Sequence, residues 1–350
     1  MPAVLPSCEA TEPNASDPKV RARTVRRRLF GAASACAGGA LLWIVVASAG
    51  GASTLAVVLG ALPLVPLAVA IEGTRIGTEI LAMQRLFAML KCSVPLGAIV
   101  RAQFIGYSVG NVVPVGRLAA EATKAGLLAK HARLATTAAV AAIAQALHLL
   151  ASAVILVPSA VAARSMSAPL ALSATIAGQC LLLGGAGGGI LLAAYFVPSR
   201  WLHRLPKASR ALESFRAAIR SLPAFPARAL GWLVLCRFLQ VVLIAVLMRA
   251  VRSQPSVAAP FLAQGVLLVG ASVGDVVPGQ VGALEGIFRL FASTMGMTPT
   301  CAVSVALLIH AVQALWVFAG FVAFAFGKNE RPLPSSTSLT LPALRHSAGR

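Results

Sequence analysis

The chain has 350 residues, of which 58% are hydrophobic and 11% charged, and its mean hydropathy is +0.84. Soluble domains carry roughly 25% charged residues, so this excess of apolar surface excludes an ordinary soluble fold and predicts a polytopic membrane protein. The net charge of +20 does not indicate a nucleic-acid partner, because the basic residues flank apolar runs instead of forming one face.

Apolar runs in chain order predict six transmembrane helices. Residues 1–28 are polar and basic and are expected to be disordered. Each of the following segments is long enough to cross a bilayer of about 30 Å: 30–50, 53–71, 135–158, 170–197, 230–248 and 300–326. For the first, a cleaved signal peptide is the alternative to a retained helix.

The predicted fold is therefore an all-α membrane domain over residues 29–327, followed by a disordered tail over 328–350. In the long loop after the fourth crossing, apolar residues recur at spacings of three and four between residues 205 and 222. This pattern predicts an amphipathic helix that lies on the inner leaflet, with a plain connector as the alternative.

Two stretches between the crossings repeat each other. GYSVGNVVPVGRLAAE, from Gly106 to Glu121, and GASVGDVVPGQVGALE, from Gly270 to Glu285, share nine of sixteen residues. Each joins an apolar arm to a charged arm through a break at a proline, which lacks an N–H and suits the first turn of a new helix. We expect two helical hairpins, one in each repeat half, with the halves covering residues 30–158 and 170–326.

The distribution of basic loops predicts how these hairpins lie. If both enter the membrane and turn back, the basic N-terminus, the Arg-rich loop over residues 200–228 and the basic tail all lie on one side. The first hairpin then enters from the cytoplasm and the second from outside. Six crossings with two re-entrant hairpins in this arrangement form an inverted-topology internal repeat, as in many transporters.

Charged residues recur at matching places in the two hairpins. A charge at membrane depth costs at least ~2.5–3.5 kcal/mol, so such residues usually mark a pathway or a binding site. The alternatives are solvated surface charges or simple i,i+4 helix pairs. We expect Arg117, together with the helix starts after the two prolines, to hold a lipid phosphate, and Glu121 and Glu285 to act as counter-ions.

Three further polar pairs lie on crossings, and each pair shares one helix face: Gln145 with His148, Arg237 with Gln240, and His310 with Gln313. For each of them packing is the favoured interpretation over function.

The sequence contains no convincing enzyme signature. G-x-S-x-G occurs in both repeats, around Ser108 and Ser272, but within apolar segments and without a plausible triad, so close helix packing explains it better. A P-loop, an HExxH motif and an acidic pair spaced for a metal are all missing from the sequence. We therefore expect no catalytic residue, no metal and no cofactor.

Two ordered motifs carry a family resemblance: Asn111-x-x-Pro114-Val115-Gly116-x-x-x-x-Glu121-x-x-Lys124 and Pro278-Gly279-x-x-Gly282-x-x-Glu285-Gly286. They resemble the signatures of the lysylphosphatidylglycerol synthetase transmembrane family of flippase-like bacterial proteins, nearest its hopanoid-biosynthesis-associated branch. Lys124 stands where arginine is usual, and lysine lacks the bidentate fork that arginine offers to phosphate.

The resemblance implies a lipid translocase that moves an anionic, glycosylated or aminoacylated lipid across the bacterial inner membrane. The basic loops predict that both termini are cytoplasmic. The alternatives are a non-catalytic subunit that assists hopanoid or glycolipid synthesis, and a membrane-embedded transferase. The implied partners are phosphate-bearing membrane lipids and lipid-synthesis enzymes. The expected substrate-binding residues are Asn111, Pro114, Gly116, Arg117, Glu121 and Lys124 in the first hairpin, and Asp275, Pro278, Gly279, Gly282, Glu285 and Arg289 in the second.

Overall fold

The computed structural model describes residues 39–113, 116–196, 216–217, 220, 225–274 and 277–326, and the regular structure of these residues is helical. The helices of the first half are α1 (Gly39–Ser48), α2 (Gly51–Ala61), α3 (Val65–Met89), α4 (Leu96–Val112), α5 (Gly116–Leu128) and α6 (Leu134–Ser165). Those of the second half are α7 (Leu170–Phe196), α8 (Ala227–Ala250), α9 (Ala258–Gly274), α10 (Ala283–Leu290) and α11 (Pro299–Phe326). Short 3₁₀ helices cover Leu62–Leu64 and Pro278–Gln280.

Within these residues, five helical runs are long and apolar enough to cross a membrane, which makes the chain a multi-pass membrane protein. They are the continuous run Gly51–Met89 and helices α6, α7, α8 and α11. Six crossings were expected. The described part of the first one is the ten-residue helix α1, and residues 30–38 lie outside the described residues.

The second crossing is much longer than the sequence predicted. The prediction ended it at residue 71, whereas the structure continues through a 3₁₀ turn into α3 and ends at Met89. The charged residues that follow residue 71 do not end the helix, because Glu72 and Arg75 are buried and paired with each other. The bounds of the other four agree with the prediction to within a few residues, apart from α6, which continues through Pro158 to Ser165.

The two repeated stretches form two helical hairpins. Helix α4 packs antiparallel against α5, and α9 packs against α10. Their arms have 17, 13, 17 and 8 residues, at or below the roughly 17–25 that a crossing helix needs.

Equivalent helices of the two halves have equivalent packing partners. The arm α4 packs on α11 and the arm α9 packs on α6, while α5 contacts α6 and α10 contacts α11. Helices α3 and α8, one from each half, pack against each other. Each hairpin therefore contacts the last crossing of both halves.

Buried apolar side chains form two large clusters, one around each hairpin. The first contains Ile76, Ile99, Leu128 and Ile143, and the second contains Leu262 and Phe288 among others. Helices α6 and α8 contribute to both clusters and so tie the halves together. The segment 205–222, predicted as an amphipathic helix, lies almost wholly outside the described residues.

Candidate functional site

Both hairpin breaks open onto one polar cavity of about 200 Å³. The first hairpin contributes Val113 and Gly116 to its wall, and the second contributes Val277 and Gly279. Polar side chains of the lining come from α4 and α5 of the first hairpin and from helices α3, α6, α8 and α11. Two segments that lie more than 160 residues apart in the chain thus meet at one site.

The first break is a close turn between two helix ends. Helix α4 ends at Val112, and Val113 is extended, with φ −100° and ψ 138°. Helix α5 begins at Gly116, where a Cβ would overlap the carbonyl oxygen of Gly110. Only glycine fits there, because the two helix ends are in backbone contact. Pro114 lies outside the described residues.

The second break has a different local structure. After α9 ends at Gly274, the short 3₁₀ helix begins at Pro278, and Gly279 has φ +64°, a left-handed conformation that favours glycine. A Cβ on Gly279 would lie 3.2 Å from the carbonyl oxygen of Asn111, so the two breaks approach each other closely. Asp275 lies outside the described residues.

A buried ion cluster on α3 forms one wall of the site. The guanidinium of Arg75 binds Glu72 at 2.7 and 2.8 Å and Glu79 at 2.8 Å. The hydroxyl of Tyr107 donates to Glu72 at 2.8 Å, and the thiol of Cys236 on α8 lies 3.3 Å from Glu79. The sequence signal for this cluster is the spacing of Glu72, Arg75 and Glu79 by three and four residues directly after an apolar run. The cluster was not predicted.

A second ion pair links the first hairpin to this wall. Lys124 is 5% exposed and pairs with Glu121, one turn earlier on α5. Its ammonium also donates to the amide oxygen of Gln103 at 3.3 Å, and Gln103 in turn donates to Glu79. The carboxylates of the first hairpin and of α3 are therefore already engaged with cations and donors of the protein.

Two guanidiniums at the cavity have no carboxylate partner among the described residues. Arg237 is 8% exposed, donates to the amide oxygen of Gln240 at 3.1 Å, and has a buried Nε without an acceptor. Arg117, in the first turn of α5, is exposed and makes no hydrogen bond or ion pair to the described residues. It lies close enough to Arg237 for the two charges to interact.

Among the residues that the structure describes, the charges at this site do not balance. The described lining cations are Arg75, Arg117, Lys124 and Arg237, whereas the described lining carboxylates are those of Glu79 and Glu121. Cations remain in excess when Glu72, which binds Arg75, is counted with them. The described lining therefore carries a net positive charge, which favours an anion in this cavity.

Neutral hydrogen-bonding groups complete the lining. Asn111, Gln145, His148, Gln240 and Gln313 come from α4, α6, α8 and α11. Of the three polar pairs that the sequence placed on helix faces, two line the cavity completely. The third contributes only Gln313, because His310 faces Glu285.

The two described charged residues of the second hairpin, Glu285 and Arg289, lie away from the cavity lining. Glu285 is fully buried, and its carboxylate accepts a hydrogen bond of 2.7 Å from the N–H of Gly282. Its other oxygen lies 3.2 Å from Nε2 of His310. Arg289 is exposed, and its guanidinium contacts the carbonyl oxygen of Ser48 at 3.4 Å.

The predicted site residues thus fall into groups. Asn111, Gly116, Arg117, Glu121, Lys124 and Gly279 line the cavity, whereas Gly282, Glu285 and Arg289 do not, and Pro278 begins the 3₁₀ helix beside it. Two helix starts were predicted to bind a phosphate. The start of α5 carries Arg117 at the cavity, whereas the start of α10 is capped by the carboxylate of Glu285.

The two G-x-S-x-G stretches have a packing role in the structure. The hydroxyl of Ser108 donates to the carbonyl oxygen of Val317 at 2.8 Å, and that of Ser272 donates to Leu268 at 3.0 Å. A Cβ on Gly106 would lie 2.6 Å from the side chain of Lys124, so this glycine lets α4 and α5 pack closely.

One comparison with known proteins identifies the family. A family model described as the lysylphosphatidylglycerol synthase TM region matches residues 28–320, which include both hairpins and the cavity. No curated protein and no solved structure matches the chain. The matched model does not separate branches, so the hopanoid-associated branch stays a prediction. Membership indicates a function related to membrane lipids. The chain belongs to the lysylphosphatidylglycerol synthase transmembrane-region family.

Proposed function

We propose that the protein is a lipid translocase of the bacterial inner membrane, and that the phosphate of its substrate lipid binds in the cavity between the hairpins. One observation carries this proposal. Arg117 and Arg237 face the same cavity without a carboxylate partner among the described residues.

A phosphate is the anion that this arrangement fits best. Burying a cation without a counter-charge is costly, and a guanidinium offers planar, paired donors that match phosphate oxygens. Arg237 supplies a buried Nε without an acceptor, and Arg117 stands at the start of α5, where helix N–H groups also favour an anion. The binding position we propose is therefore between the start of α5 and the middle of α8.

The same proposal includes the topology. We place six crossings in the membrane, with α4–α5 and α9–α10 as re-entrant hairpins from opposite faces and both termini in the cytoplasm. The short hairpin arms and the exchange of packing partners between the halves support this arrangement. A cavity with one wall from each repeat then becomes accessible from either leaflet by movement of one half against the other.

The proposal is tested by lipid translocation in reconstituted vesicles. Purified protein is inserted into vesicles that contain phosphatidylglycerol with a fluorophore on one acyl chain, and a membrane-impermeant quencher reports how fast the inner-leaflet lipid reaches the outside. We expect the wild-type protein to speed this exchange. Arg117→Gln and Arg237→Gln should slow it about tenfold to a hundredfold, because charged hydrogen bonds contribute about 1.5–3 kcal/mol.

Arg249→Gln is the matched control. Arg249 lies on the same helix as Arg237, in its last turn, and its side chain is exposed, so the substitution should leave the rate unchanged. Equal slowing by all three substitutions would contradict the site. Failure of the wild-type protein to move any phosphate-bearing lipid, together with co-purification of a lipid-synthesis enzyme, would favour an accessory subunit of hopanoid or glycolipid synthesis.

A further inference from the structure

The neutral part of the cavity lining indicates what the phosphate carries. Gln145 and Gln313 line the cavity from α6 and α11, and their amides form no hydrogen bond to the described residues. Asn111 uses its NH₂ group on the carbonyl oxygen of Tyr107 at 2.9 Å, which leaves its side-chain oxygen for a ligand. Amides both donate and accept hydrogen bonds, as the hydroxyls of a sugar or polyol do.

Unpaired buried atoms at the cavity include both donors and acceptors. They are the Nε of Arg237, one carboxylate oxygen of Glu121 and the Nδ1 of His148. Arg237 itself is more than nine-tenths buried. Buried polar atoms are rarely left without partners in native proteins, so these atoms point to a missing ligand.

An ammonium group does not fit this lining. Glu79 is engaged by Arg75 and Gln103, and one oxygen of Glu121 is engaged by Lys124, so each carboxylate already pairs with a cation of the protein. The part of the lining that the structure describes already carries more cations than carboxylates. An aminoacylated headgroup would bring another positive charge into this field and would be repelled.

We propose that the ligand of this cavity is a phosphate ester whose headgroup is a neutral sugar or polyol, and that the site rejects aminoacylated headgroups. The phosphate binds Arg117 and Arg237, and the hydroxyls bind Gln145, Gln313 and the free oxygen of Glu121. This inference rests on the proposed function, because it assigns a substrate class to the same site.

Binding of short-chain lipids to the full-length protein in detergent tests this assignment. The probes are phosphatidylinositol, phosphatidic acid, lysylphosphatidylglycerol, a hexosyl diacylglycerol without phosphate, and soluble glucose 1-phosphate. We expect phosphatidylinositol to bind at least fivefold more tightly than phosphatidic acid, since one hydrogen bond contributes about that factor. Lysylphosphatidylglycerol should bind more weakly than phosphatidic acid.

Substitution of the two unpaired amides should remove this preference. In Gln145→Leu/Gln313→Leu, phosphatidylinositol should bind no better than phosphatidic acid binds to the same variant. Each single substitution should remove part of the preference, which keeps the test available if the double variant does not fold. Gln84→Leu, on the exposed face of α3, is the control and should retain the full preference.

The outcomes separate this inference from the proposed function. If phosphatidic acid binding depends on Arg117 and Arg237 but phosphatidylinositol gains nothing, or lysylphosphatidylglycerol binds equally well, the headgroup assignment is overturned and the translocase proposal stands. If no phosphate-bearing lipid binds in a way that depends on these arginines, both are overturned. Glucose 1-phosphate binding as tightly as phosphatidylinositol would identify a soluble ligand and contradict the lipid assignment.

Discussion

Arg75 and Arg237 should respond to the same substitution in opposite ways, although both are buried arginines at one cavity. Arg75→Gln leaves the carboxylates of Glu72 and Glu79 without their cation in a buried site. Removal of one partner from a buried ion pair costs about 3–5 kcal/mol. Arg237→Gln removes a buried cation that is bound only to an amide, so the folded state loses little and the burial cost of the charge disappears.

The thermal unfolding temperature of the protein in detergent, followed by the fluorescence of its four tryptophans, measures this difference. For a chain of 350 residues, about 3–5 kcal/mol corresponds to a shift of roughly 4–7 °C. We expect Arg75→Gln to lower the unfolding temperature by that amount and Arg237→Gln to leave it within about 2 °C or to raise it. If Arg237→Gln destabilises the protein as much as Arg75→Gln does, the folded chain already balances this charge, and the anion argument is refuted.

Three further results are expected. Gly116→Ala should abolish lipid exchange, because its Cβ would overlap the carbonyl oxygen of Gly110. Gly126→Ala on the same helix meets open space and should be tolerated, and equal effects of the two would contradict the turn geometry. Glu285→Lys should reduce the yield of folded protein, because it buries a cation beside His310 and removes the cap of α10. Normal yield with lost lipid exchange would instead show that Glu285 acts in transport. Reporter fusions after residues 96 and 131 should report the cytoplasmic side and those after 256 and 297 the outer side, and different sides within a pair would exclude a re-entrant hairpin.

The hairpins could be predicted because their signals are local. A proline break, flanking glycines and a charged second arm stand next to one another in the chain, and the duplication gives each stretch an independent copy. The close approach of Gly279 to Asn111 agrees with this duplication, since the two breaks of an internal repeat are expected to share one site.

The partners of the charged residues could not be predicted in the same way. The second crossing was predicted to end at residue 71, but Glu72, Arg75 and Glu79 lie about one turn apart and pair with one another inside the helix. Glu285 was expected to face a cation at the site, and its observed neighbour His310 comes from a separate helix. The juxtaposition of Arg117 and Arg237 likewise depends on tertiary packing between the halves.

Crosslinking from inside the cavity tests most directly whether a phosphate-bearing lipid occupies the site between the hairpins. A photoreactive amino acid is placed at Gln313 in the cavity lining or, as control, at Leu181, which is 77% exposed on α7. After illumination in native membranes, mass spectrometry identifies the bound lipid. We predict that position 313 captures a phosphate-bearing lipid and that Arg237→Gln abolishes this product while capture at position 181 continues. Capture at position 313 that does not depend on Arg237, or that yields the same lipid mixture as position 181, would contradict a headgroup site in this cavity.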